Sequence, residues 1–194
     1  MPFSRPNLED ISQASSEELA QLAADCLARL EPGHQPLPLF KELSRLVVLS
    51  TFELVPIRPQ PTGPEVLLTQ RDGNDVWWPN QWHLPGVVLL PTDKEEYPGD
   101  YDTPLQRILE GEFSGSIKPV SDIHIFDTMR RSGPRGSEQT AFGWVEVEPD
   151  LSVPQPNDIR FFDALAVVEN PPAEGLIATH DQTIRLAMNH YLAQ

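Results

Sequence analysis

Four arginines and two tryptophans in this sequence suit the binding of a phosphate attached to an aromatic base. The arginines are Arg71, Arg130, Arg131 and Arg135. A guanidinium group offers a planar fork of N–H donors to phosphate oxygens, and an indole ring offers a flat face on which a base can stack. The alternative is that the arginines form surface salt bridges and that the tryptophans pack in the core or in a loop. The candidate substrate-binding residues are Arg71, Trp77, Trp78 and Arg130.

Several segments follow one another in a characteristic order. They are a strand that ends in Gln70-Arg71, a Trp-x-Leu-Pro-Gly sequence over 82–86, a helix around Arg107, and a later segment, 159–165, that contains Phe161-Phe162. In this order and spacing the chain resembles the Nudix hydrolase family from about residue 45 to residue 192. The resemblance implies an α/β (α+β) fold class, namely a Nudix-like αβα sandwich with a mixed sheet.

The resemblance also implies a chemistry, which is metal-assisted hydrolysis of a phosphoanhydride in a nucleoside diphosphate linked to another group. The family holds its metal with a loop-helix-loop box, G-x5-E-x7-R-E-U-x-E-E-x-G-U, in which U is aliphatic. Mg²⁺ (or Mn²⁺) suits such a site because hard cations prefer carboxylate and carbonyl oxygens. Gly86 and Glu112 match box positions and are the implied metal ligands. Glu112 and Glu138 are the implied catalytic residues, since some relatives place a ligand or a general base after the hairpin, where Glu138 lies.

The box in this chain departs from the family pattern at several positions. Gly86 and Arg107 lie 21 residues apart, whereas the pattern places its glycine and arginine fourteen apart. After the arginine, the first glutamate becomes Ile108 and one of the following pair becomes Gly111. The glycine of the pattern becomes Ser114. Of the glutamates that follow the box arginine, only Glu112 therefore remains.

Helical geometry predicts where the remaining box side chains point. Ile108 and Glu112 are one turn apart and share a face, so an aliphatic side chain takes the place of a metal ligand. We expect Ile108 to be at least partly buried. Glu110 is rotated about 200° from Glu112, and we expect it to face water and to pair with Arg107 one turn back.

The missing glutamates leave two hypotheses open. In the first, the protein is a hydrolase whose metal site is completed by Glu138 or by acids of the inserted segment. Those acids are Asp93, Glu95, Glu96, Asp100 and Asp102. In the second, the protein is a catalytically silent module that binds a nucleotide or a protein partner. The two differ in whether a second carboxylate reaches Glu112.

Residues 1–40 are predicted to be a helical extension ahead of a Nudix-like domain over 41–194. A capping box at Ser15 and Glu18 predicts a helix that Gly33 stops, and three prolines then forbid further helix. These are Pro32, Pro36 and Pro38. The helix carries an apolar stripe formed by Leu19, Leu22, Cys26 and Leu30. Because an exposed stripe is costly, we expect it to pack on its own domain or on a second copy, which makes a homodimer through this helix one predicted arrangement.

Hydrophobic periodicity and turn residues predict the elements of the main domain. The predicted strands cover residues 45–58, 65–71, 83–90, 122–131 and 140–147. Helices are predicted over 103–113, with Thr103 as N-cap and Pro104 at the first position, over 163–169, and over 179–192. The last of these begins with a capping box formed by Thr179 and Gln182.

Charge and composition narrow the classes of partner and compartment. The charge sum is 14 − 29 = −15, which opposes non-specific binding to nucleic acid or to anionic membranes. Cys26 is the single cysteine, which excludes a disulfide framework and fits a cytoplasmic protein. The longest apolar stretch is far shorter than the roughly 20 residues of a membrane span. The expected partner is a small nucleotide-type molecule.

Overall fold

The computed structural model describes residues 8–93, 100–148 and 158–194. The chain divides into two compact units, the first ending at His34 and the second beginning at Gln35. This division precedes the predicted boundary after residue 40, because the next helix contacts two strands of the second unit. None of the helices in these ranges is long and apolar enough to cross a membrane.

The first unit contains helices α1 (Leu8–Gln13) and α2 (Ser16–Leu27). The predicted capping box is confirmed: the Ser15 hydroxyl accepts from the Glu18 backbone N–H at 3.3 Å, and the Glu18 carboxylate accepts from the Ser15 N–H at 2.8 Å. No residue of α2 is buried. Of the predicted stripe, Leu19, Cys26 and Leu30 are exposed and Leu22 is partly exposed. The homodimer through this helix stays a prediction.

Helix α3 (Leu37–Leu46) was not predicted, and its presence corrects the expectation that the prolines forbid a helix here. Pro36 is the N-cap and Pro38 lies in the first turn. Proline is tolerated in the first turn because the N–H that it lacks has no partner within the helix. The strand predicted to begin at residue 45 accordingly begins only at Val48.

Seven strands form one sheet in the order β3-β2-β1-β6-β5, with β4 paired to β1 and β7 paired to β2. The strands are β1 (Val48–Arg58), β2 (Glu65–Gln70), β3 (Trp82–His83), β4 (Gly86–Val88), β5 (His124–Gly133), β6 (Gly136–Glu146) and β7 (Ile159–Asp163). Strands β1 and β6 run parallel over ten residue pairs, and the other pairs are antiparallel. The predicted mixed sheet is confirmed.

Three helices cover the two faces of this sheet: α4 (Asp102–Phe113), α5 (Ala166–Glu169) and α6 (His180–Tyr191). Strand β1 alternates between the faces. Phe52 and Leu54 pack with α4, whereas Val55 and Ile57 pack with α5 and α6. This alternation buries both faces and produces the predicted αβα sandwich.

Several predicted boundaries in this domain are corrected. The strand predicted over 83–90 is split by Leu84-Pro85 into β3 and β4, which pair with different strands, since Pro85 has no N–H to donate to a ladder. Strand β7 was not predicted, and the helix predicted from residue 163 begins at Ala166.

The two predicted helix caps are also corrected. The N-cap of α4 is Tyr101, which places Pro104 third in the helix. Thr179 is the N-cap of α6, but its φ is 81° and its side chain makes no capping hydrogen bond. Its hydroxyl instead accepts from Arg131 at 3.0 Å, so the predicted capping box with Gln182 is absent.

Candidate functional site

A pocket of about 190 Å³ lies on the α6 side of the sheet. It is enclosed by β1, the loop between β2 and β3, strand β4, the β5–β6 hairpin and the segment that leads into α6. Its charged and aromatic lining includes Glu53, Arg71, Trp78, Arg131, Glu138 and His180. Of the predicted substrate-binding residues, the structure brings Arg71 and Trp78 into this pocket.

Glu53 is an almost completely buried carboxylate in this pocket, with 9% of the residue exposed. Its Oε1 accepts a hydrogen bond from Arg131 and lies 3.5 Å from His180 Nε2. His180 Nδ1 accepts from the Leu84 N–H at 2.9 Å, so the proton of a neutral ring lies on Nε2, facing Glu53. Burial alone raises the pKa of Glu53, but the His180 ring and the Arg131 guanidinium lower it to about 2. Glu53 is therefore ionised at neutral pH.

The three arginines that line the pocket differ in how far their donors are satisfied. Arg131 pairs with Glu53, and Arg135 pairs with Glu138 at 2.5 Å. Arg71 lies 3.9 Å from Asp75, and its Nε is buried without a hydrogen-bond partner. Of the buried donor atoms of these three arginines, Arg71 Nε is the one without a partner.

The two candidate tryptophans have different positions. Trp78 lines the pocket, and the Arg135 guanidinium lies 5.5 Å from its ring centroid. Trp77 makes an edge contact with Phe40 of α3, with ring centroids 6.1 Å apart, and the pocket lining does not include it. Trp77 therefore makes a packing contact outside this pocket, and a role for it in binding stays a prediction.

The structure places Arg130 outside the pocket and Glu138 in an ion pair within its lining. Arg130 is exposed and, next to Arg131 in β5, points to the opposite face of the strand, away from the pocket. Glu138 lines the pocket, but its Oε1 accepts from Arg135 Nε at 2.6 Å. A carboxylate held in this ion pair is not free to act as a general base until the pair opens.

Glu112 is bound by two groups of the protein, and it does not line the pocket. Its Oε1 accepts from the Gly86 backbone N–H at 3.0 Å. Its Oε2 lies 2.9 Å from the Thr69 hydroxyl. The two predicted metal positions, Gly86 and Glu112, are thus brought together, although the Gly86 group in contact with the carboxylate is a donor.

The hydrogen bonds around Thr69 determine where one proton lies. His83 Nδ1 is 2.6 Å from the Leu84 carbonyl, which can only accept, so Nδ1 is protonated. Thr69 has one proton but lies within 2.9 Å of both His83 Nε2 and Glu112 Oε2, so one of these two must supply a second proton. Burial lowers the pKa of His83 to about 3 and raises the pKa of Glu112. Burial therefore favours Glu112 over His83 as the carrier of this proton.

The rest of the box helix agrees with the geometry predicted for it. Ile108 is fully buried, which confirms its expected position. Glu110 is exposed and accepts from Gln106 at 2.9 Å. The predicted Arg107–Glu110 pair is wrong, because Arg107 instead pairs with Asp93 at 2.7 Å.

The described residues do not fit a magnesium site of the family type. Within them, no group of three His, Cys, Asp or Glu side chains lies together in a way that could hold a metal. Burial raises the pKa of Glu112, and the box position one turn before it is a buried isoleucine, Ile108. A cation would therefore find one weak ligand where several carboxylates are needed. Asp93 of the insertion is engaged by Arg107, and Glu95 and Glu96 lie outside the described residues.

Comparison with known proteins gives structural matches and no sequence matches. No family model and no curated protein matches the sequence. The NUDIX domain of Shewanella oneidensis NrtR, complexed with ADP ribose, is 19% identical over 87% of this chain and 97% of that chain, with a TM-score of 0.54. The chain has a Nudix-like fold.

Two further solved structures share this Nudix-like fold. Shewanella oneidensis NrtR itself is 21% identical, with a TM-score of 0.58, over 75% of this chain and 64% of that chain. This chain therefore spans less than two thirds of the length of NrtR. A C. elegans Ap4A hydrolase is 14% identical over 75% of this chain and 99% of that chain, with a TM-score of 0.50.

Glu53 and His180 are the pocket residues that the sequence analysis missed. Glu53 lies inside the apolar run of β1, and His180 is the first residue of α6, directly after Thr179. A buried charge in the middle of an otherwise apolar strand is the available signal, because such a residue needs a partner of opposite charge. The parallel pairing of β1 with β6 and the position of α6 supply that partner and cannot be deduced from local periodicity.

Proposed function

We propose that this protein is a Nudix-fold module that binds a nucleotide-type ligand without the metal-dependent hydrolysis of the family. The observation that supports this proposal best is the state of Glu112. This carboxyl accepts from the Gly86 N–H and the Thr69 hydroxyl, and burial raises its pKa. The box position one turn before Glu112 holds a buried isoleucine, Ile108, where the family pattern has a second carboxylate.

The pocket supplies the features that a nucleotide needs. Arg71 has an unpartnered Nε, and a guanidinium N–H suits a phosphate oxygen. Trp78 offers an aromatic face on the same lining. Arginines in this pocket also oppose the net charge of −15 of the chain, so a local attraction for an anion exists within a chain that repels anions overall.

The neighbour with a known ligand provides a suitable probe. The NrtR NUDIX domain binds ADP ribose, which contains a base, a diphosphate and a second sugar. We propose that this protein takes a ligand of the same chemical class, with the diphosphate at Arg71 and the base at Trp78. Homodimer formation and the absence of nucleic-acid binding remain separate predictions.

Calorimetric titration with ADP-ribose in a buffer containing EDTA tests the binding function. We expect binding that weakens about tenfold or more in Arg71→Gln, because a charge-assisted hydrogen bond to phosphate is lost. Arg58→Gln is the matched control, since Arg58 is also a partly buried, ion-paired arginine but lies outside the pocket. Failure of the unmodified chain to bind the probe would contradict the proposal.

Hydrolysis is tested in the same preparation. ADP-ribose is incubated with the protein and Mg²⁺ or Mn²⁺, and AMP release is followed by chromatography. We expect no release above the rate of a protein-free blank. Turnover that Glu112→Gln abolishes would show instead that the protein is a metal-dependent hydrolase.

A further inference from the structure

The pocket contains a second polar atom without a partner, on Glu53. Among the described residues, Glu53 Oε2 and Arg71 Nε are the two buried side-chain polar atoms that have no hydrogen-bond partner. Both residues line the same pocket. An unpaired buried polar atom destabilises the folded protein, and a charged one does so more. Two such atoms of opposite character in one pocket indicate a ligand that satisfies both.

The surroundings of Glu53 determine what kind of group suits its free oxygen. An ionised carboxylate can only accept hydrogen bonds. A metal ion or an ammonium group would lie close to the Arg131 guanidinium, which contacts Oε1 of the same carboxylate, and to Arg71 in the pocket lining. Like charges at such distances repel. The remaining match is a neutral donor, and a sugar hydroxyl is the neutral donor that accompanies a phosphate in nucleotides.

We propose that Glu53 selects the ligand by accepting a hydrogen bond from a hydroxyl of its terminal sugar, on the far side of the diphosphate from the nucleoside. This inference rests on the proposed nucleotide-binding function and adds a specificity-determining residue to it. The pocket then favours a nucleoside diphosphate that carries a hydroxylated sugar over one whose terminal group has no hydroxyl.

The packing around Glu53 keeps this acceptor in place. Glu53 lies directly across from Gly86 in the β1–β4 register. A Cβ at Gly86 would come within 2.9 Å of Glu53 Cγ, so glycine leaves the room that the carboxylate occupies. Arg131, which holds Oε1, is itself held by Thr179 at 3.0 Å. The acceptor is therefore preorganised before the ligand arrives, which favours discrimination between ligands.

The test compares two ligands of equal charge on the unmodified protein. ADP-ribose carries the terminal sugar, whereas the β-methyl ester of ADP has the same diphosphate without sugar hydroxyls at that end. Calorimetry in EDTA buffer is expected to show about 10- to 100-fold tighter binding of ADP-ribose. Equal affinities would overturn the role of Glu53 and leave nucleotide binding intact, and absence of binding by both ligands would overturn the proposed function itself.

Two variants then assign the preference to Glu53. Glu53→Gln replaces the charged acceptor by an amide, and Glu53→Asp keeps the charge but withdraws the oxygen, so each is expected to reduce the affinity ratio several-fold. Either variant suffices if the other does not fold. Glu65→Gln is the matched control, because it breaks a partly buried ion pair with Arg58 outside the pocket and should leave the ratio unchanged. A ratio that both Glu53 variants preserve would contradict the proposal.

Discussion

The Glu112 carboxylate accepts a hydrogen bond of 3.0 Å from the backbone N–H of Gly86, 26 positions earlier in the chain. These two residues are the positions to which the Nudix resemblance assigns a metal. In this chain their hydrogen bond connects helix α4 to strand β4, which pairs with β1. The contact joins α4 to the first residue of β4.

Gly86 is expected to tolerate no side chain. Its missing Cβ would lie 2.9 Å from Glu53 Cγ and 3.0 Å from the Phe52 carbonyl oxygen, so Gly86→Ala should destabilise the fold by about 1–3 kcal/mol through overpacking. Urea unfolding measures this change.

Gly111→Ala is the matched control for Gly86→Ala. A Cβ at Gly111 meets nothing within 4 Å, and Gly111 lies in the interior of α4, where alanine is favoured by about 0.5–1 kcal/mol. Gly111→Ala should therefore raise the free energy of unfolding. Equal effects of the two substitutions would show that Gly86 has no special steric role.

Glu112→Gln tests the protonation state of the box glutamate. An amide reproduces a protonated carboxyl, since its oxygen accepts from Gly86 and its NH₂ donates to Thr69. The variant should therefore match the stability of the parent protein to within about 0.5 kcal/mol below pH 4.5. At neutral pH it should be the more stable of the two, because the unfolded parent ionises there and the folded parent keeps its proton. An ionised glutamate in the parent would instead make the variant clearly less stable, because a charge-assisted hydrogen bond is lost.

The pH dependence of the same variant has a defined sign. Burial raises the pKa of Glu112 above 4.5 in the folded protein, so the folded state keeps this proton to higher pH than the unfolded state does. The contribution of Glu112 to stability is then complete below pH 4.5 and is lost as pH rises through its folded pKa. Glu112→Gln lacks this loss, so its stability relative to the parent should increase with pH in urea titrations.

The box helix shows how much of the site local sequence could predict. Helical periodicity placed Ile108 in the core and Glu110 in water, and both positions are confirmed. These predictions depend on the helical repeat of 3.6 residues, which can be recognised from neighbouring residues alone. The overall sandwich was likewise predictable, because its segments kept the order of the family.

The convergence of charged residues in the pocket could not be predicted in this way. Glu53, Arg131 and His180 come from β1, β5 and α6, and their contacts depend on the pairing of β1 with β6 and β6 with β5. Such pairings join positions up to 89 residues apart, as for the Thr51–Thr140 hydrogen bond of 2.7 Å. Local sequence patterns contain no information about these long-range strand pairings. Helix α3 was missed for a local reason, because first-turn prolines were weighed as helix breakers.

Ser114→Gly is expected to stabilise the protein. Ser114 ends α4 with φ 50° and ψ 34°, a left-handed conformation that costs a residue with a Cβ about 1 kcal/mol. It stands where the box pattern has glycine. Thermal unfolding should show a higher Tm for the variant. Gly115→Ala, at φ 67°, is the reciprocal change and should lower Tm, and a Tm decrease in Ser114→Gly would contradict the argument from backbone conformation.

Restoring the box carboxylates is the change that separates a silent module from an enzyme with a hidden metal site. Ile108→Glu alone buries a charge at a fully enclosed position and should cost at least about 3 kcal/mol. Gly111→Glu adds an exposed carboxylate at little cost, since the position is open.

The double variant Ile108→Glu with Gly111→Glu is the test. If the parent lacks a working metal site, 10 mM MgCl₂ should raise the Tm of the double variant and leave that of the parent unchanged, because the cation offsets the buried charge. Gly111→Glu alone is the control for non-specific binding of Mg²⁺. A parent protein that is itself stabilised by Mg²⁺, with no further gain in the double variant, would show that a metal site already exists and would contradict the proposed function.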